Sequence, residues 1–186
     1  MVVQLQKRLF TVAEYHRMVE AGILGEDDRV ELIEGEIITM SPIGSRHAAC
    51  VKRLTRLFDR SVGERAILGV QDPIRLGELS EPQPDLTLLK PRPDFYAAEH
   101  PGPQDILLLI EVAETSAEFD RHVKVPLYAR FGIPEVWIVD LAEDGLDVFR
   151  HPSLEGYQTV QKLQRGESIV PLLLPDLQSA VEAILG

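Results

Sequence analysis

DILLLIEVAETSAEFDRHVKVPLYARFGIPEVWIVDL, residues 105–141, contains two apolar runs separated by a stretch of helical character. The first run, Asp105 to Val112, is apolar throughout rather than alternating, the pattern of a strand covered on both faces. Ser116 to Phe131 reads as a helix closed by Gly132, the residue type favoured just past a helix end. Pro126 inside it should kink the helix or mark a late start. Glu135 to Leu141, EVWIVDL, reads as a second central strand. This strand–helix–strand unit makes the class α/β or α+β, with a mixed sheet at the centre.

The flanks add smaller elements. Thr11 to Glu14 reads T-x-x-E, a capping box opening a helix from Val12 to about Ala21 that stops at Gly22. Arg29 to Met40 reads as a hairpin turning at Glu34-Gly35. After the break Ser41-Pro42-Ile43-Gly44, Ser45 to about Val62 has Ala48, Val51, Leu54, Leu57 and Phe58 near helical spacing. Arg65–Val70, Pro73–Leu76 and Asp85–Leu89 are short strand candidates, and the proline-rich 91–103 is a surface loop. Gly145–Arg150 and Tyr157–Leu163 read as an antiparallel pair, and Asp176–Leu185 as a closing helix. No internal repeat interrupts this order, so residues 1–186 are expected to form one domain.

The whole chain has 45% apolar and 26% charged residues, ordinary values for a globular protein. Nineteen basic against thirty acidic residues leave a net charge of −11, which disfavours a coat protein for nucleic acid or a polybasic membrane binder. A local basic patch is still compatible with it: Arg46, Lys52, Arg53, Arg56 and Arg60 fall on one expected helix, as a solvated face or a nucleic-acid groove. The single cysteine, Cys50, excludes an internal disulfide and a cysteine zinc cluster. The start, MVVQLQKRLF, has no long apolar leader, and no apolar run is long enough to span a bilayer, so a cytoplasmic location with no membrane partner is expected.

Three residues stand out chemically. Glu111 ends an apolar run in the most buried strand, where a lone carboxylate is costly and needs a cation, a donor or a proton. Asp85 follows Pro84 and opens another strand; it is either a turn residue or a second carboxylate converging on the same point. Paired carboxylates are what a hard ion such as Mg²⁺ takes. Lys124 shares a helix face with Asp120 and Tyr128, either as a solvated pair or leaning over the strand end toward the carboxylates. Glu31 and Glu34 lie in the hairpin and offer a further metal or water-positioning contact, or an exposed turn acid. His47 and Arg46 start the long helix, where donors and positive charge suit an anion. Motifs for a nucleophile elbow, a phosphate-binding loop, a dinucleotide fold and a zinc protease are all absent.

The ordered set VELIEGEI (30–37), SP (41–42), His47, PD (84–85), IEVAETS (110–116), D-x-x-x-K (120–124), Tyr128 and GIPEVWIVD (132–140) resembles the Uma family, restriction-endonuclease-like proteins of the PD-(D/E)XK nuclease superfamily. The resemblance runs from about Phe10 to Arg150. It implies a restriction-endonuclease-like core, a mixed central β-sheet flanked by helices. It also implies an endonuclease hydrolysing phosphodiester bonds of nucleic acid, DNA foremost, with Mg²⁺ or Mn²⁺ as cofactor. By the resemblance, Asp85 matches the PD aspartate and Glu111 the second acid, both metal ligands; Glu34 matches an early acid added to the site. The superfamily's lysine two positions after the second acid would fall at Ala113; Lys124, on the next helix, takes its place. His47 and Arg46 become possible substrate contacts. Cleavage of both strands of a duplex implies a homodimer. The alternative reading is a non-catalytic binding or assembly domain that kept the fold.

Overall fold

The computed structural model describes residues 7–25 and 27–186. Residues 1–6, on which the reading of the N-terminal stretch partly falls, lie outside them. The helix α1 (Val12–Glu20) starts as its sequence requires. The Thr11 hydroxyl accepts from the Glu14 N–H at 3.2 Å, and the Glu14 carboxylate accepts from the Thr11 N–H at 3.0 Å. Strands β1 (Val30–Ile33) and β2 (Glu36–Thr39) form a two-stranded hairpin with Ile33 opposite Glu36. Both turn residues have positive φ, Glu34 at 49° and Gly35 at 80°, as a type I′ turn demands. Gly35 is needed for a second reason. A Cβ there would stand 2.6 Å from the Leu9 Cβ.

The long helix α2 (Ser45–Val62) buries Cys50, Val51, Leu54, Phe58 and Val62. It packs on a six-stranded sheet of order β3 (Ile67–Val70), β4 (Leu86–Leu89), β5 (Ile106–Ala113), β6 (Glu135–Asp140), β7 (Gly145–Ser153), β8 (Gly156–Leu163). Only β5 and β6 are parallel, as expected for the pair joined by a helical crossover. Every residue of β5 is buried. Its side chains divide between two cores. Leu108, Ile110 and Val112 join α2, Phe58 and Trp137 in one core, whereas Leu109 and Ala113 join Leu127, Tyr128 and Ile33 in the other. The class is therefore the mixed α/β arrangement expected, with helices on both faces.

The crossover departs from a single α-helix. It comprises α3 (Ala117–Phe119), a π-helical turn (Asp120–Lys124) and α4 (Val125–Arg130). The Val125 N–H donates to the Asp120 carbonyl, five residues back. Pro126 supplies the physical reason, because it has no N–H to donate and its ring would crowd the carbonyl of His122 in an α-helix. A wider turn relieves that crowding. Gly132, at φ 75°, closes the segment.

Two expected elements are smaller than the sequence suggests. Within Pro73–Leu76 only the isolated Leu76–Ser80 bridge is present, and no strand runs there. The C-terminal stretch forms a short strand, β9 (Ser168–Ile169) pairing with β10 (Ser179–Ala180), before α5 (Val181–Leu185). Among the described residues, no helix is long and apolar enough to cross a membrane.

Candidate active site

The sheet, the hairpin and the crossover meet at one end of β4 and β5. Strand β4 pairs with β5 from Leu86 opposite Ile110 onward, so Asp85 is the first residue outside the ladder. The Val112 N–H consequently lacks a strand partner and donates instead to the Asp85 carboxylate, at 2.8 Å. The same oxygen lies 3.1 Å from His47 Nε2 at the start of α2, and the other accepts from the Gln71 amide at 3.1 Å. The His47–Asp85 hydrogen bond raises the pKa of His47 above its ordinary value; burial opposes the shift, and the charges of Asp85 and Glu114 reinforce it.

Glu111 is one residue before Val112, so the strand's two-residue period turns it to the opposite side, with Leu109 and Ala113. There it meets the crossover. Tyr128 donates its hydroxyl to Glu111 Oε1 at 2.6 Å, and Lys124 Nζ is 3.3 Å from the same atom. Lys124 is also 3.0 Å from Glu31 Oε2, on β1. The other contact to that Glu31 oxygen comes from the Gln83 N–H, at 3.1 Å. Asp120, buried one turn before Lys124, accepts from Ser116 at 2.7 Å. Asp120 and Lys124, four residues apart at the two ends of the π-turn, are both buried on the inner side of the crossover.

Glu31, Asp85, Glu111, Glu114 and Asp120 line one cleft of about 540 Å³ with Arg29, His47 and Lys124. The balance is an excess of negative charge. Burial pushes the pKa of Glu111 up to about 8; Lys124 opposes the rise, and Asp120 and Asp85 add to it. For Lys124 burial acts downward, but Glu111, Glu31 and Asp120 outweigh it and hold the amine protonated far above its ordinary range. The cleft thus contains a firmly charged ammonium and carboxylates that remain short of positive charge.

Not every residue singled out in the sequence arrives here. Asp85, Glu111, Lys124 and His47 share the cleft. Glu34 does not line it. As the first residue of the hairpin turn it is exposed and paired with Arg130 at 2.5 Å. The early acid in the cleft is Glu31, directed inward by the pleat of β1, where side chains have a fixed side. Arg46 turns aside, donating to the Leu141 carbonyl at 2.8 Å, with Glu114 at 4.0 Å. Asp120 and Tyr128 belong to the site as well, and their signal in the sequence is the four-residue spacing with Lys124.

Among the described residues, no three His, Cys, Asp or Glu side chains form a ready-made metal cage. The donors nonetheless suit a hard divalent cation. Asp85 and Glu111 bring carboxylate oxygens from adjacent strands to one cleft, and Glu111 Oε2 accepts no hydrogen bond among the described residues. Mg²⁺ typically takes one or two carboxylates and completes its octahedron with water and substrate oxygens. The unbalanced negative charge of the cleft favours such an ion.

The molecule is thus a mixed six-stranded sheet flanked by helices, with Asp85 and Glu111 near the ends of two neighbouring strands and Lys124 beside them. The chain matches, over residues 12–182, the family Uma2, described as "Putative restriction endonuclease", and belongs to that family. Among solved structures, it is similar to the crystal structure of "a putative nuclease belonging to DUF820" from Anabaena variabilis ATCC 29413. The two share 16% identity with a TM-score of 0.71, covering 95% of this chain and 97% of that one, which is a likeness of fold. No curated protein matches.

Proposed function

We propose that this protein is a metal-dependent endonuclease that hydrolyses phosphodiester bonds of nucleic acid, with DNA as the first substrate to test. The observation that carries the reading is the placement of the Lys124 ammonium 3.3 Å from Glu111 in a cleft that Asp85 also lines. Membership of the Uma2 family supports it. Asp85 and Glu111 would hold Mg²⁺, or Mn²⁺ in its place. Such an ion, when bound, polarises the scissile phosphate and makes a bound water more acidic.

The chain's own groups have separate tasks. Lys124 offers a fixed positive charge to the phosphate as negative charge builds on it during water attack. Glu31 and Glu111 hold the ammonium from two sides, so little reorganisation is needed at that moment. Tyr128 fixes the Glu111 carboxylate by donating to one oxygen, which leaves the other available. His47 and the Val112 N–H fix Asp85 at one oxygen, and the Gln71 amide donates to the other. Water attack forms the new P–O bond as the old one breaks, and the leaving oxygen takes a proton. We also assign the protein a homodimeric form, because cleaving both strands of a duplex calls for two sites.

The test is cleavage of supercoiled plasmid, single-stranded DNA and RNA in Mg²⁺ or Mn²⁺. Nicking by the wild type that disappears in Asp85→Asn, Glu111→Gln and Lys124→Met is the expected result. A folded wild type that cleaves none of these in either metal contradicts the proposal and leaves the fold in a binding or assembly role. Sedimentation of the same sample reads the dimer.

A further inference from the structure

The outer face of α2 carries Arg46, Lys52, Arg53, Arg56 and Arg60, all exposed. At 3.6 residues per turn these five fall within an arc of roughly 120°. The opposite face is the buried one, so the stripe points to solvent. Asp59 is the single acid in the helix. Among the described residues, Lys52, Arg56 and Arg60 make no ion pair. Arg53 donates to the Leu185 carbonyl, at 2.7 Å. Arg165 joins from the loop after β8, lining a hollow of about 220 Å³ with Arg46 and Arg53, although it is itself paired with Asp144 at 2.7 Å.

In a chain of net charge −11, a solvated helix face ordinarily mixes charges of both signs. This one concentrates cations, and three of them, Lys52, Arg56 and Arg60, have no acidic partner among the described residues. Its position matters as well. Gly44 and His47, at the start of α2, line the acidic cleft, so the stripe begins at the cleft's mouth. It extends from Arg46 to Arg60, about 21 Å along the helix axis. That length matches about six phosphates of one strand at their B-form spacing. The attraction does not depend on a helix dipole, because the cations run from the first turn of the helix to its last.

We propose that this face of α2 is a tracking surface for the phosphate backbone of nucleic acid whose scissile bond occupies the cleft. The proposal rests on the nuclease reading for what fills the cleft. It adds where the rest of the polymer lies. Contacts of this kind position without reading sequence, so the stripe confers affinity and salt sensitivity rather than base preference.

The test is fluorescence anisotropy of labelled duplex DNA, single-stranded DNA and RNA of equal length, between about 50 and 200 mM salt, with Ca²⁺. The wild type is compared with the triple variant Lys52→Gln, Arg56→Gln, Arg60→Gln. These side chains are exposed and outside the cleft, so hydrolysis of bis(p-nitrophenyl) phosphate should be unchanged. On duplex, every phosphate left without its cation should flatten the slope of log affinity against log salt by about 0.9, so the triple variant is shallower by roughly 2 to 3. The single-strand and RNA arms report which polymer fits the stripe best. Equal affinity and slope in wild type and variant overturn the proposal, and so does a wild type that binds none of the three. The small phosphodiester separates the two claims. If the wild type hydrolyses it, the nuclease reading stands whichever way the stripe falls. If it is not hydrolysed while the variant still binds the polymer more weakly, the stripe stands and catalysis does not.

Discussion

Lys124 is the residue on which the proposed chemistry turns, because of what surrounds it. A surface lysine there would be nearly free to lose, its ion pairs worth well under 1 kcal/mol. Lys124 instead is 5% exposed, with Glu31 and Glu111 within 3.3 Å and Asp120 one turn away. Removing it strands buried carboxylates. Lys124→Ala should therefore cost on the order of 3 kcal/mol of stability as well as activity, read by urea unfolding beside a cleavage assay. Tyr128→Phe is the gentler probe. It removes one donor from Glu111, should cost about 1 to 2 kcal/mol, and should lower activity by loosening that carboxylate. Glu111 also sets a pH dependence in metal-free protein. Its folded pKa is raised to about 8 from an ordinary 4.5, so between those values the folded state keeps a proton that the unfolded state gives up. Stability contributed by this group is present below pH 4.5 and falls as pH rises toward 8, with a slope approaching about 1.4 kcal/mol per unit. In Glu111→Gln that decline should vanish from the pH–stability curve.

Elements place these residues, and their legibility in the sequence varies with the kind of signal. Strand β5 is readable because the unbroken apolar run Ile106–Ile110, followed by Glu111 and Val112, has few other homes. Helix α2 is readable from its periodicity, and α1 from its capping box. The π-turn is not, because nothing in the pattern distinguishes a proline that breaks a helix from one that widens it. The shared face of Asp120 and Lys124 is readable all the same, from their four-residue spacing. The hairpin turn is legible at Glu34-Gly35, but the resemblance puts the functional acid at the turn rather than on the strand. Turn side chains point to solvent, while Glu31 is aimed by the pleat and by its pairing opposite Ile38. Residues 73–76 show the other limit, since a single bridge leaves no periodic trace. The hairpin's role can be measured. Gly35→Ala places a Cβ 2.6 Å from Leu9 on a backbone at φ 80°. It should destabilise the protein by about 1 to 3 kcal/mol in denaturant unfolding.

At the scale of the molecule, charge is segregated rather than averaged. The cleft is acidic and short of cations, the outer face of α2 is basic, and the chain as a whole is acidic at −11. Under the proposals above, such a division would let one small protein attract a divalent ion at one place and a polyanion at another. The composition alone points away from nucleic acid, because a sum over the chain hides a stripe confined to fifteen residues of one helix. The proposed chemistry requires Asp85 and Glu111 to act on one ion. Isothermal titration of Mg²⁺ and of Mn²⁺ into the wild type, Asp85→Ala and Glu111→Ala, each alone and with a non-cleavable oligonucleotide, tests it most directly. Binding to the wild type that either substitution abolishes is the predicted result. A wild type that binds neither ion under both conditions, or variants that bind as tightly as the wild type, would contradict it.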